Sequence, residues 1–240
     1  MTDGSTTPSP RPALSTRSPA ARLLLQTTLL QLTLAALLFG AAGTWHFWQA
    51  WAYLGVYFVT MEATNVYLIR VDPALLVRRL KRGEGGETEG VHRVFQALVG
   101  PLFLGMLAVA ALDHRFGWST VPTAVAVVGQ TLAAASYVLV FFVFRENTFA
   151  SSVVEVDAGQ TVVATGPYRL VRHPMYTGAV LGALATPVAL GSTWAEVFFV
   201  PIVGILVMRI LAEERFLREH LGGYTEYTGK TRYRLVPGAW

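Results

Sequence analysis

The chain contains no cysteine, so disulfides and thiolate metal sites are excluded. Charge is also scarce. Only 14% of the 240 residues are charged and 53% are hydrophobic, against about 25% charged in a soluble domain. That deficit points to a lipid solvent. The usual soluble signatures are missing too: no Gly-rich phosphate loop, no HExxH pair, no GxSxG elbow. There is no internal repeat. The net charge of +4 is small and calls for no nucleic-acid partner. Nothing in the pattern calls for a metal.

What is present is a series of apolar runs. A bilayer core takes about 20 apolar residues per helix. Leu23 to Ala42, Phe47 to Ile69, Phe95 to Leu112 and Val121 to Phe144 fit that length or approach it. Tyr176 to Leu190 and Trp194 to Leu211 flank Gly191-Ser192 as a helical hairpin. The sequence therefore predicts an all-α, polytopic integral membrane bundle of five to six spans. Residues 1–20 are rich in Ser, Thr and Pro and read as a disordered tail. Residues 21–144 hold the first four helices, with a cytosolic loop at 71–93. Residues 145–240 form the region where chemistry is expected. Within the loop, Asp72-Pro73 starts a short amphipathic helix lying on the membrane surface. The Gly83 to Gly90 stretch is a flexible loop.

The cations set the orientation. If the N-terminus is cytosolic, eighteen of the 19 Lys and Arg residues, all but Arg115, fall on cytosolic segments, as the positive-inside rule requires. Both termini are then cytosolic. Trp45, Trp48, Trp118 and Trp194 fall at the opposite interface as an aromatic belt. The expected location is the cytoplasmic membrane of a prokaryote.

Chemistry-bearing residues cluster between Asn147 and Pro237. In the run from Gly166 to Gly178, prolines at 167 and 174 restrict the backbone around Tyr168, Arg172, His173 and Tyr176. His173 offers a donor and an acceptor at neutral pH. The same residue types also serve as headgroup anchors. At the end of the last span, Arg209 and Glu213 share a helix face at i, i+4. Glu214 and Arg218 read as an ordinary surface ion pair. Arg209 lies among apolar residues, where a charge is costly and marks function. Glu62 and Asn65 in the second span have the same status, unless they only bond to neighbouring helices. The tail from Gly222 ends the helix and either folds over the cytosolic mouth as a lid or rests at the interface.

Several separate blocks, NTFASSVV, GQTVVATGPYRLVRHPMYTG, the Glu213-Glu214 pair, LGGYTEY and RYRLVPG, together resemble the isoprenylcysteine carboxyl methyltransferase family, which is related to the phospholipid methyltransferases. The resemblance covers Asn147 to Trp240. It implies S-adenosylmethionine as cofactor, enclosed in a pocket at the cytosolic side of the C-terminal part, with contacts carried over to Gln160, Val162, Val163, Tyr168, His173, Pro174, Met175, Tyr176 and Glu213. It gives Arg209 the role of substrate-binding arginine and makes Arg209, Glu213 and His173 the catalytic set. The eukaryotic prenylcysteine enzymes have histidine where this chain has Gln160. Glu155 falls roughly where they have glutamine. The implied acceptor is a lipophilic small molecule or lipidated group taken from membrane lipid, first of all an isoprenylcysteine-like carboxylate. Glu62 is a further substrate-side candidate. Phospholipid amines, thiols, and a sterol-reductase-like NADPH enzyme are the alternatives.

Overall fold

In the computed structural model the described residues are 18–80, 89–150, 156 and 159–240. The tail up to residue 17, most of the Gly83 to Gly90 loop and Glu155 lie outside them. Among the described residues there are eight α-helices and no strand: α1 Pro19–Ala42, α2 Trp48–Arg70, α3 Pro73–Leu80, α4 Glu89–Phe116, α5 Thr123–Glu146, α6 Pro174–Ala189, α7 Phe199–His220 and α8 Tyr224–Lys230. Ser18 caps α1 by accepting from the Ala21 amide at 3.2 Å, so the helix starts just inside the expected tail.

Among the described residues, four helical segments are long and apolar enough to cross a membrane: Pro19–Ala42, Ala97–Phe116, Thr123–Glu146 and Trp194–His220. The five to six expected spans are thus not all matched. α2 is long enough at 23 residues but is diluted by Gln49, Thr60, Glu62, Thr64 and Asn65. α6 has 16 residues, about 24 Å at 1.5 Å per residue, short of a core roughly 30 Å thick. The last apolar run opens with a 3-10 turn, Trp194–Phe198, before α7 begins.

Side chains explain the packing. α5 and α6 approach closely because small residues face each other. A Cβ on Gly129 would meet the Ala189 nitrogen at 2.5 Å, and one on Gly178 would meet Val140 at 2.8 Å. Small residues allow this approach where lipid supplies no hydrophobic drive between helices. The main core runs through Leu34, Leu38, Phe47, Tyr53, Met106, Leu107, Ala133, Leu190 and Ile202. Leu24, Leu32, Val59, Val128 and Val200 point outward, as lipid-facing residues do.

One end of the bundle is tied by Asp113, which accepts from the Ser119 amide (2.7 Å), the Ser119 hydroxyl (2.6 Å) and the Ser192 hydroxyl (2.5 Å). Trp45, Trp48, Trp51, Trp118 and Trp194 are exposed at that end. Gly191 turns the chain from α6 towards α7 with φ +77°.

At the other end α3 starts as expected, with the Asp72 carboxylate accepting from the Leu75 amide at 2.9 Å. It does not simply lie on a surface. Leu75 and Leu76 are buried against Leu68, Phe144 and Ala150. Arg78 and Arg79 donate to the carbonyls of Thr148 (2.7 Å) and Ala150 (3.2 Å).

Candidate active site

At the end of the bundle opposite Asp113, a cavity of about 130 Å3 is lined by residues from four stretches: Asn147 to Ala150, Gln160 to Val163, Tyr168 to Tyr176, and Arg209 to Tyr227. Every cofactor residue expected from the sequence lines it: Gln160, Val162, Val163, Tyr168, His173, Pro174, Met175, Tyr176 and Glu213, with Arg209 beside them. Glu62 does not. It is held between α1 and α2, accepting from Gln31 at 3.1 Å and Asn65 at 3.3 Å, while Asn65 also donates to Thr27 at 3.2 Å. Those bonds are the helix-to-helix ties that the sequence allowed for both polar residues.

The local sequence explains the placement. Gly166-Pro167 begins a 3-10 turn through Arg169, and Pro174 sits at the first turn of α6. His173 is therefore fixed at a helix start. The Tyr176 hydroxyl bridges two groups, accepting from Arg209 Nε at 2.7 Å and donating to Glu213 at 2.6 Å. The Arg209 guanidinium lies over the Phe95 ring at 4.4 Å. The Tyr168 hydroxyl accepts from Asn147 Nδ2 at 3.0 Å, and its carbonyl accepts from the Tyr227 hydroxyl at 2.7 Å. Burial pushes the phenols of Tyr168 and Tyr224 well up and that of Tyr227 to about 12. All three stay neutral hydrogen-bonding groups at physiological pH.

Glu214 overturns the surface-pair expectation. It is 2% exposed and accepts from Arg172 Nε at 2.7 Å, Arg234 Nε at 3.1 Å and His173 Nε2 at 3.2 Å. Arg218, the i+4 partner, adds only an outer contact at 3.4 Å. Spacing along one helix could not reveal this, because the other three partners come from outside α7. Arg172 and His173 are themselves 7% and 5% exposed, too buried for headgroup anchors.

The tail is latched rather than loosely resting. The Arg172 and His173 amides donate to the Tyr233 (2.9 Å) and Arg234 (3.0 Å) carbonyls. Arg172 also donates to the Thr231 and Arg232 carbonyls, and Thr177 to that of Leu235. Tyr224 and Tyr227 of α8 wall the cavity.

A second chamber, about 400 Å3 and mostly apolar, adjoins the first. Met175, Tyr176 and Arg209 line both. Phe95, Phe103, Val140, Ala183 and Leu206 supply its apolar wall, and Tyr57, Tyr137 and Thr186 add hydroxyls. Residues that sequence reasoning missed are Glu214 as a buried hub, Arg79 in the second chamber, and Tyr224 and Asn147 in the first. The last two sit inside recognised blocks, and only burial shows that they face the cavity.

The fold and the site together define a class: a helical membrane protein with a polar, tyrosine-rich cavity set against an apolar chamber. Residues 124–223 match the family described as phospholipid methyltransferase, the family that includes the isoprenylcysteine carboxyl methyltransferases. Over that segment the chain is similar to a family of membrane methyltransferases. The segment spans α5 to the end of α7 and stops just before Tyr224. No curated protein matches the chain.

The cavity's chemistry fits the S-adenosylmethionine that this family's enzymes generally use. The Tyr224 hydroxyl is buried and has no hydrogen-bond partner among the described residues. An orphaned buried hydroxyl costs about 1–3 kcal/mol, and a ligand's ribose or base would satisfy it. Glu213 suits an ammonium group, while Met175, Leu217 and Leu221 offer apolar contact. The open space is smaller than the roughly 300–1,000 Å3 of most ligand pockets.

Proposed function

We propose that this chain is an S-adenosylmethionine-dependent methyltransferase whose acceptor is lipophilic, with an isoprenylcysteine-like carboxylate as the leading acceptor. The observation that carries the reading is the pair of adjoining cavities. The polar one gathers nine expected cofactor positions, the apolar one suits a lipid chain, and Arg209 and Tyr176 line both. When bound, the cofactor supplies an electrophilic methyl group on a sulfonium. Glu213 holds its ammonium end, His173 and nearby amides its carboxylate, and Tyr168, Tyr176 and Tyr224 its polar adenosine edge. Arg209 orients the acceptor head. A carboxylate needs no general base, so positioning and exclusion of water supply the rate. The cation distribution supports a bundle in which α2 and α6 also span, with this end cytosolic. A soluble cofactor then meets a membrane-borne acceptor at one depth.

The test is binding of labelled cofactor to purified protein, followed by mass spectrometry of products from membranes given methyl-labelled cofactor. Glu213→Ala and His173→Ala are expected to abolish binding. Undiminished binding in both would overturn the site. The family's description favours a second reading, a phospholipid amine. Base-labile label marks an ester and stable label an amine.

A further inference from the structure

The apolar chamber carries a charge pattern that its lining does not need for packing. Among the described residues that line it, the charged ones are Arg79 and Arg209, and there is no carboxylate. Arg209 belongs to α7 and shares Tyr176 with Glu213. Arg79 comes from α3, far away in sequence. It donates to the Ala150 carbonyl and lies over the Phe144 ring at 4.2 Å. It forms no ion pair with any described residue. Burial lowers its pKa to about 10, so the guanidinium stays charged at neutral pH despite the cost of desolvation. Two like charges on one low-dielectric chamber repel each other unless an anion sits between or beside them.

We propose that Arg79 is a second cationic group of the acceptor site, which with Arg209 holds an anionic head group at the mouth of the apolar chamber, so that the acceptor is an anionic amphiphile. The inference rests on the chamber being the acceptor's site. Guanidinium groups are suited to this task, because their planar donor fork matches carboxylate and phosphate oxygens. A zwitterionic amine head would bring its own cation against two others. Its ammonium would find no carboxylate among the described residues of that chamber. Arg79 is also placed to link the two cavities. Arg78 and Arg79 grip the carbonyls of Thr148 and Ala150, and that stretch supplies Phe149 and Ala150 to the polar cavity's wall.

The experiment measures binding of dodecanoate, dodecanol and dodecyltrimethylammonium to the full chain in zwitterionic nanodiscs, without cofactor. Labelled S-adenosylmethionine binding is measured on the same preparations. The wild type is expected to bind dodecanoate about tenfold more tightly than either other amphiphile, roughly one charge-assisted interaction. Arg79→Gln should erase that preference, Arg79→Lys should keep part of it, and cofactor binding should persist in both. A structural tie alone would lower the unfolding temperature of both variants and leave the preference intact. Equal binding of the three amphiphiles by the wild type, a preference for the cation, or an unchanged preference in Arg79→Gln would each overturn the proposal. Anion preference without cofactor binding would uphold the clamp and sink the methyltransferase reading.

Discussion

Both ends of the bundle contain a buried carboxylate, and the two are satisfied in opposite ways. Asp113, 1% exposed, is met by one amide and two serine hydroxyls within 2.5–2.7 Å. Its partners are neutral, lie in the turns beside it, and close the bundle. Glu214, 2% exposed, is met by Arg172, Arg234 and His173, which join α7, the start of α6 and the C-terminal tail. The first arrangement is a knot that fixes loops. The second neutralises a cluster of cations directly behind a cavity, and in doing so fixes His173 and the backbone that leads into Tyr176. The Tyr224 hydroxyl, buried with no hydrogen-bond partner among the described residues, also lies at the Glu214 end.

The largest effect expected is from Glu214→Ala. Removing one partner of a buried ionic cluster costs about 3–5 kcal/mol, so unfolding in detergent should shift strongly and cofactor binding should be lost. Asp113→Asn keeps an acceptor and removes no cation's partner. It should cost about 1–3 kcal/mol and leave cofactor binding intact. Equal losses in the two variants would break the contrast between the ends.

Next in size, Tyr176→Phe deletes the hydroxyl that joins Arg209 to Glu213. Cofactor affinity is expected to fall about tenfold or more, read by equilibrium binding. An unchanged affinity would remove the bridge from the site.

Tyr224→Phe should behave unusually. Without ligand it removes an unpaired buried hydroxyl, so stability should hold or rise slightly. Cofactor affinity should fall severalfold, by about 0.5–1.5 kcal/mol. A loss of stability with unchanged affinity would show that the hydroxyl belongs to the fold.

The smallest effect is alkaline. The Tyr227 phenol is raised from 10.0 to about 12, mainly by burial. Its neutral form is therefore favoured in the folded state. The stability it contributes is complete below pH 10 and is lost as pH rises from 10 towards 12. Tyr227→Phe should flatten that part of the pH–stability curve.

Much of this was legible in the sequence because the membrane imposes a simple rule: long apolar stretches, with cations at one side. The helices followed, as did the cap at Asp72 and the turn at Gly191. The span count was less legible. α2 carries Glu62 and Asn65, and their bonds to Gln31 and Thr27 of α1 become visible only once the helices pair. The cavity residues were legible as blocks whose order resembles a known family. Glu214 was misread because its partners are separated from it by 20 to 42 residues. Arg79 was counted only as one more cytosolic cation, since hydropathy does not show which cations turn inward.

By itself, the sequence determined the solvent, the helical content and the stretches that hold the chemistry, because these depend on local composition and on residues spaced within a few turns. Only the tertiary structure decided which charges are paired, that the Tyr224 hydroxyl is buried without a hydrogen-bond partner among the described residues, and that an apolar chamber with two arginines adjoins the polar cavity. Those facts depend on contacts between α3, α6, α7 and the tail, and such contacts are set by three-dimensional packing rather than by any pattern along the chain.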